Sequence, residues 1–233
     1  MSGWMLMGLP GAAYLSGLGS IWLALGLVIG AYVNYQVVAP KLRIYTEIAD
    51  DSLTIPEFFS KRFALDNGSI KLIASVTIIV FFTVYTASGL VAGGKLFESA
   101  FGLHYTWGIA ATVSVVVAYT VLGGFLAVSL SDFIQGVIML VALTAVPLVT
   151  FGHFDAKQAQ AFSQTLTLGL DNIEFIAALS LMTWGLGYFG QPHIIVRFMA
   201  IDHHSNLNKA KRIGISWMSI SLIGALATGV IGA

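Results

Sequence analysis

Apolar residues fill seven long segments of this chain, and polar residues separate them. The segments are 2–15, 19–39, 72–97, 107–123, 131–152, 174–196 and 212–232. Most of them approach the ~20 residues that an α-helix needs to cross the hydrocarbon core of a bilayer. The third segment would be about 40 Å long as a helix, so it is tilted or extends past the membrane. The pattern predicts an all-α integral membrane protein with about seven transmembrane helices.

The composition agrees with this interpretation. Hydrophobic residues make up 57% of the 233 residues and charged residues only 9%, whereas a soluble domain carries roughly 25% charged residues. The formal net charge is zero, which argues against nucleic acid as a partner because nucleic-acid binding requires a basic patch. The chain has no cysteine, which excludes disulfides, thiolate metal sites and a cysteine nucleophile.

The basic residues predict the orientation of the spans. Nine of the eleven lysines and arginines lie in two polar loops, 40–71 and 196–212, and the others are Lys95 and Lys157. Seven spans place both loops on one side of the membrane and the two remaining lysines on the other. Because short cytoplasmic loops collect Lys and Arg, we expect a multi-pass protein of the cytoplasmic membrane whose first segment runs outwards.

The first basic loop contains a helix signal. Thr54 and Glu57 have the spacing of a capping box, and Pro56 lies early in the first turn. Aromatic residues follow on one side, beside Lys61 and Arg62. We expect residues 55–63 to form a short helix at the inner membrane interface, with an ordinary surface helix as the alternative.

Glycine and proline interrupt two of the apolar segments. The first stretch is 7–12 (MGLPGA) and the second is 184–192 (WGLGYFGQP). These residues weaken the helical hydrogen-bond ladder and free backbone amides and carbonyls. Inside a membrane, loose backbone is tolerated only where it is buried in protein or lines a cavity. Two such stretches in corresponding positions indicate the binding site of a secondary transporter; close helix packing through small residues is the alternative.

Several residues in and near these stretches are candidates for binding. Trp184, Tyr188 and Pro192 recur every four residues, so on a helix they would share a face. That face suits a small zwitterionic or amphipathic solute, with inward-facing core packing as the alternative. Tyr85 lies in the middle of a span, where its hydroxyl either closes a pocket or bonds to another helix. Asp132 is interpreted either as the N-cap of a helix over 133–152 or as a carboxylate at the inner mouth of a cation path.

Other sites are not supported. The chain has no Gly-rich loop ending in Lys-Ser or Lys-Thr, which argues against an ATP-driven pump, and no hydrolase or zinc-protease motif. Arg197 is explained by its place at the inner interface. His203 and His204 have no third ligand at a suitable spacing, so we interpret them as loop residues.

The motifs together resemble those of the sodium:solute symporter family, most closely its sodium/proline branch, over essentially the whole chain. The matching motifs are Met1-Ser2-Gly3-Trp4 with Gly8-Leu9-Pro10-Gly11, Leu53-Thr54-Ile55-Pro56-Glu57-Phe58-Phe59, Tyr85-Thr86-Ala87-Ser88-Gly89, Gly123-Gly124-Phe125-Leu126-Ala127-Val128 and Trp184-Gly185-Leu186-Gly187-Tyr188-Phe189-Gly190-Gln191-Pro192-His193.

The resemblance implies a fold and a set of site residues. The fold would be a partial leucine-transporter-type bundle of inverted repeats, with residues 1–152 forming most of repeat one and residues 174–233 beginning repeat two. The positions implied for substrate binding are Ser2, Gly3, Tyr85, Trp184, Tyr188 and Pro192. The backbone carbonyl of Met1 would bind sodium, and Asp132 would take part in sodium coupling.

The function that the resemblance implies is sodium-coupled symport of L-proline into the cell by alternating access. Sodium would be the coupling ion and there would be no cofactor; the protein would be a secondary active transporter in a lipid bilayer and not an enzyme. The family's initial helix and the later helices of repeat two have no counterpart in this sequence, so we expect this chain alone to be an inactive fragment. Two alternatives remain: a symporter-like sensor domain of a signalling protein, or a relative that carries another small solute.

Overall fold

The computed structural model describes residues 3–64, 68–153, 162–163, 166 and 174–233. Its α-helices are α1 (Leu9–Ser16), α2 (Ile21–Val33), α3 (Ala39–Ile48), α4 (Ile55–Arg62), α5 (Ser69–Phe101), α6 (Tyr105–Phe151), α7 (Phe175–Met182), α8 (Pro192–Met199) and α9 (Leu207–Gly232). Two π-helical segments, Trp4–Gly8 and Asn34–Val38, and three 3₁₀ segments, Gly17–Ser20, Thr183–Phe189 and His204–Asn206, lie between them. The described part contains no β-strand, which agrees with the predicted all-α class.

Four helical runs in the described part are long and apolar enough to cross a membrane. They are Trp4–Ile48, Ser69–Phe101, Tyr105–Phe151 and His204–Gly232, and Phe175–Phe189 is a shorter apolar run. The first and third of the long runs each contain two of the predicted segments. Each is interrupted by a glycine at a predicted boundary.

The chain reverses direction at Gly17. This residue has φ 57° and ψ −144°, values that glycine adopts without the strain a Cβ would cause. Before it, Pro10 approaches Gly229 and Tyr14 approaches Gly232, so α1 runs parallel to α9. The π-helical segment after α2 lies instead beside the first turns of α9, where Gln36 bonds to Lys211 and Tyr35 contacts Gly214. The segments 2–15 and 19–39 are therefore two antiparallel helices, as predicted.

A kink at Gly124 divides α6 in the same way. Gly124 has φ 54° and ψ −147°. A straight helix of 47 residues would be about 70 Å long, more than twice the ~30 Å hydrocarbon core. Before the kink, Tyr105 packs against Gly94 near the end of α5. After it, the Phe133 ring lies 6.2 Å from Trp217. The predicted segments 107–123 and 131–152 therefore correspond to the two halves of α6.

The first interrupted stretch differs from its prediction. Residues 7–12 remain helical, because a π-helical segment (Trp4–Gly8) passes directly into α1. The wider π-turn lets the Leu9 N–H bond to the Trp4 carbonyl. Pro10 then falls in the first turn of α1, where its missing N–H is not needed. The expectation of an unwound stretch was wrong for these residues, although the segment departs from α-helical geometry.

The second interrupted stretch is broken, as predicted. After α7 the chain forms a 3₁₀ segment (Thr183–Phe189), passes through a turn at Gly190, and begins α8 at Pro192. This stretch runs parallel to α2, since Gly26 packs against Met182 and Gly30 against Gly185. Because α2 is antiparallel to α1, the first and sixth segments run in opposite directions, which was also predicted.

The packed core lies between α1, α2, the second half of α6 and α9. Leu9, Ala13 and Ala225 are completely buried in it. Helix α5 lies at the edge, and Gly94 is its one buried residue. Many apolar side chains of α5 are exposed, and such a surface suits contact with lipid or with another membrane helix.

The two basic loops lie together on one side of the bundle. The buried Arg43 side chain donates to the Asp51 carboxylate at 2.7 Å, to the Met199 carbonyl at 3.2 Å and to the Asp202 carbonyl at 3.2 Å. This network joins the loop after α3 to the loop after α8, which agrees with the predicted topology. The predicted short helix between Thr54 and Phe63 is present as α4, and the Thr54 hydroxyl accepts a hydrogen bond from the Glu57 N–H at 3.4 Å.

Candidate solute-binding site

The two irregular stretches meet through a pair of tryptophans. The rings of Trp4 and Trp184 stack with centroids 5.4 Å apart and planes 28° from parallel. Trp4 lies over Gly8, where a Cβ would collide with the indole. Trp184 is 54% exposed, so one face of this aromatic pair remains open. The contact joins the π-helical start of the first segment to the 3₁₀ part of the sixth.

Helix α2 holds the 3₁₀ segment by direct backbone contact. Cβ atoms at Gly26 or Gly30 would collide with the backbone of Met182 or Gly185. One turn further, Asn34 is 1% exposed and its Nδ2 donates to the Tyr188 carbonyl at 2.8 Å. The Asn34 Oδ1 is buried without a hydrogen-bond partner among the described residues. A carbonyl freed by the irregular backbone is therefore satisfied by a side chain from another helix.

The side chain of Tyr188 points into the protein. Its ring packs against the main core cluster, and its hydroxyl donates to the Met218 sulfur at 3.9 Å. Tyr188 therefore lies on the core side of the broken stretch.

Tyr85 belongs to an aromatic cluster at the start of α8. Its ring stacks on His193 with centroids 5.4 Å apart, and Phe82 contacts the same histidine edge-on at 5.6 Å. Pro192 lines an adjoining cavity of ≈ 470 Å³. The other residues of the cavity wall are Ile55, Phe59, Ile70, Ile73, Ala74, Thr77, Ile78, Phe189, Gly190 and Ile195.

The expected shared face of Trp184, Tyr188 and Pro192 does not form. A 3₁₀ helix has three residues per turn, so positions four apart point in different directions. Trp184 faces Trp4, Tyr188 faces the core, and Pro192 faces α4 and α5. The candidates surround the broken stretch and do not form one stripe along it.

Asp132 and Arg197 form an ion pair between α6 and α8. Both side chains are partly exposed, with 38% and 53% of their surface accessible. The N-cap interpretation of Asp132 was wrong, because α6 resumes directly after Gly124 and places this residue two turns inside the helix. The same contact gives Arg197 an anionic partner, which its predicted place at the inner interface did not indicate.

The remaining candidates lie at the start of the chain. A Cβ at Gly3 would lie 3.7 Å from the Ala92 side chain, so Gly3 lies beside α5. Met1 and Ser2 lie outside the described residues. Within the described ranges no group of three His, Asp or Glu side chains could hold a metal ion.

Asn34 and the full role of Arg43 were not predicted from the sequence. Asn34 could have been found, because a polar residue within an apolar segment such as 19–39 is a candidate for function. Arg43 was counted only as a loop charge, whereas the structure buries it and gives it three hydrogen bonds.

Replacing Asn34 with leucine should destabilise the protein by about 1–3 kcal/mol, because the buried Tyr188 carbonyl would lose its hydrogen-bond donor. Denaturant titration of the purified chain in detergent, followed by circular dichroism, would measure the change. Gln36→Leu is the matched control, since Gln36 is exposed although it bonds to Lys211. Equal stability of the two variants would contradict a structural role for the Asn34 contact.

Comparison with known proteins adds a family assignment. The family model described as "Sodium:solute symporter family" matches residues 1–233. The chain is 53% identical over 238 residues to the protein named sodium/proline symporter 2 of Staphylococcus saprophyticus. It is 52% identical over 236 residues to the sodium/proline symporter of Staphylococcus aureus. Each alignment covers 100% of this chain and 46% of the relative, so the chain spans about half the length of these relatives. No solved structure matches the chain.

Proposed function

Because the chain belongs to the sodium:solute symporter family, we propose that it forms part of a secondary active transporter that carries L-proline into the cell with sodium. The observation that carries the proposal is the contact between the two irregular stretches at Trp4 and Trp184. Transporters bind solute and ion where irregular helical segments of two repeats meet near the middle of the membrane. No covalent bond changes in such a process, so the activity is transport and not catalysis.

The directions of the helices support an arrangement of inverted repeats. The first and sixth segments are antiparallel, as inverted topology requires. Residues 1–152 would then form most of one repeat, and residues 174–233 would begin the other. The 3₁₀ segment that follows α7 would be the broken part of the second repeat's first helix.

The residues around the broken stretch suit a small amphipathic zwitterion. We assign Trp184, Tyr188, Tyr85 and Pro192 to the apolar wall around the proline ring. Backbone dipoles of the irregular segments would meet the carboxylate and ammonium groups. Ser2 and Gly3 would complete the substrate site from the first segment, although Ser2 lies outside the described residues.

Sodium would cross the membrane together with proline, as a second transported substrate. The backbone carbonyl of Met1 would contribute to its site, and Asp132 would act in coupling. The ion pair with Arg197 supports a role for Asp132, because a cation that passes this carboxylate competes with the guanidinium. Sodium binding would order the first segment and raise the affinity for proline, and by linkage proline would raise the affinity for sodium by the same factor.

The proposal is tested with a chimera. In the sodium/proline symporter of Staphylococcus aureus, the 236-residue matching region is replaced by this chain, and radiolabelled proline uptake is measured in cells that lack proline transport. We expect uptake that requires a sodium gradient and is competed by unlabelled proline. Uptake without sodium dependence would contradict symport.

Competition distinguishes proline from other solutes. A panel of amino acids and small organic solutes is added in excess to the same cells. If unlabelled proline reduces the uptake of labelled proline and the other compounds do not, the assignment is supported. A stronger competitor of different chemistry would identify that compound as the substrate and overturn the assignment to proline.

A further inference from the structure

A second concave surface lies between α3 and α4, beside the cavity that contains Pro192. We call it the α3–α4 groove, and its volume is ≈ 330 Å³. Its apolar lining consists of Val37, Val38, Leu42, Phe58, Phe59 and Phe63, and its polar lining consists of Lys41, Tyr45 and Arg62. The groove is thus apolar over most of its surface and carries two positive charges, and among the described residues no carboxylate lines it.

The two charges in the groove differ from the neighbouring Lys61 in having no anionic partner among the residues that the structure describes. Lys61 is neutralised by Glu57 at 3.1 Å and Asp50 at 3.7 Å. Across the described ranges, neither Lys41 nor Arg62 takes part in an ion pair. Both side chains belong to exposed residues, so they are available to an external anion.

One of these cations lies over an aromatic ring. The Arg62 guanidinium lies 4.8 Å from the centroid of the Tyr45 ring. This cation–π contact involves the ring face and no carboxylate, so the guanidinium N–H groups can donate to phosphate oxygens. Lys41 precedes Tyr45 by four residues on α3, so its amine extends from the same helical face.

The position of the groove fits a membrane lipid. Helix α3 continues the first membrane-spanning run, Trp4–Ile48, and α4 follows a short loop, so the groove lies where the span leaves the bilayer. Apolar side chains at that level can contact an acyl chain while basic side chains reach the phosphate layer. A second copy of the chain is a poor occupant, because two identical basic grooves would repel each other.

We propose that the α3–α4 groove binds an anionic phospholipid. The phosphate lies between Lys41 and Arg62, and one acyl chain lies along Val38, Leu42 and Phe59. This site is separate from the proposed proline site and does not depend on transport. Phe59 also lines the cavity that contains Pro192, so the lipid would lie one side chain away from the broken stretch.

Native mass spectrometry of the delipidated chain tests the proposal. Phosphatidylglycerol and the zwitterionic phosphatidylcholine, with the same acyl chains, are titrated separately in a neutral detergent. We expect one phosphatidylglycerol to bind more tightly than any phosphatidylcholine. The double variant Lys41→Gln/Arg62→Gln should bind it about 30-fold more weakly, since each basic residue contributes about 1 kcal/mol towards anionic lipid.

Matched variants separate the site from general charge effects. Lys71→Gln/Lys209→Gln removes two exposed lysines from other surfaces and should leave binding within about threefold. Lys41→Arg/Arg62→Lys keeps both charges and should also retain most of the affinity. An equal loss in the Lys71/Lys209 variant would overturn the proposal, as would equal affinity for both lipids.

Two further outcomes would identify another occupant. Glycerol 3-phosphate is the soluble headgroup fragment, and binding as tight as that of the lipid would show a phosphate site and overturn the lipid assignment. The original chain could instead form a dimer and bind no lipid. If that dimer disappeared in Lys41→Gln/Arg62→Gln, the groove would be an interface between copies and the lipid proposal would be overturned.

Discussion

Replacing Gly30 with alanine should destabilise the folded chain by about 3 kcal/mol, the upper part of the usual range for overpacking a dense interior. The added methyl group would collide with the backbone of Gly185. Backbone atoms cannot rotate away as a side chain can, so α2 and the 3₁₀ segment would have to separate. Denaturant titration in detergent, monitored by circular dichroism, would measure the loss.

Gly89→Ala is the control for this prediction. Gly89 lies in the middle of α5, and no atom lies within 4 Å of the position of an added Cβ. This change should be neutral or stabilising by up to about 1 kcal/mol, because alanine favours the helix more than glycine does. If Gly30→Ala proved as stable as Gly89→Ala, α2 and the broken stretch would not be in direct backbone contact.

Replacing Tyr188 with alanine in the chimera should reduce sodium-dependent proline uptake at least tenfold. The change removes the aromatic wall that we propose for the proline ring, and an aromatic contact contributes about 1 kcal/mol beyond the area it buries. Tyr188→Phe should have a much smaller effect, because the hydroxyl contacts only the sulfur of Met218 among the described hydrogen-bond partners.

A loss of binding must be separated from a loss of folding, because the Tyr188 ring also packs against the core. Uptake is therefore divided by the amount of chimera in the membrane, and KM is measured for proline and for sodium. We expect the KM for proline to rise. Tyr14→Ala is the matched control, since Tyr14 is 53% exposed. Unchanged uptake per molecule in Tyr188→Ala would remove this residue from the site.

The sequence was sufficient for features that depend on local chemistry. The apolar segments correspond to helices, and the boundaries between paired segments coincide with Gly17 and Gly124, where φ is positive. The capping residues Thr54 and Glu57 predicted α4 because a cap is formed by residues three positions apart. The break near Gly190 followed from several glycines and a proline within nine residues.

Features that depend on contacts between distant residues could not be predicted. Asp132 and Arg197 are 65 positions apart, and no local pattern connects them. Nor does a local pattern indicate that Gly26 and Gly30 face the broken stretch instead of another helix. The first stretch was mispredicted for a different reason, since a π-turn absorbs the effect of Pro10 without breaking the helix. Propensity rules assume α-helical spacing and do not anticipate such a turn.

The contacts with the broken stretch and α8 continue from α2 through the π-helical segment into α3. Beginning with the glycine contacts, they continue through Asn34 and Tyr188 and end where Arg43 binds the Met199 carbonyl. Two elements joined from end to end in this way cannot slide or tilt independently, so they would move as one rigid body. Helix α5 makes its own close contact with the first half of α6, where a Cβ at Gly94 would collide with Tyr105 and one at Gly108 with Phe97. Separating α2 from the sixth segment would break its whole row of contacts at once, so probes that report distance changes should show the least movement between these two elements.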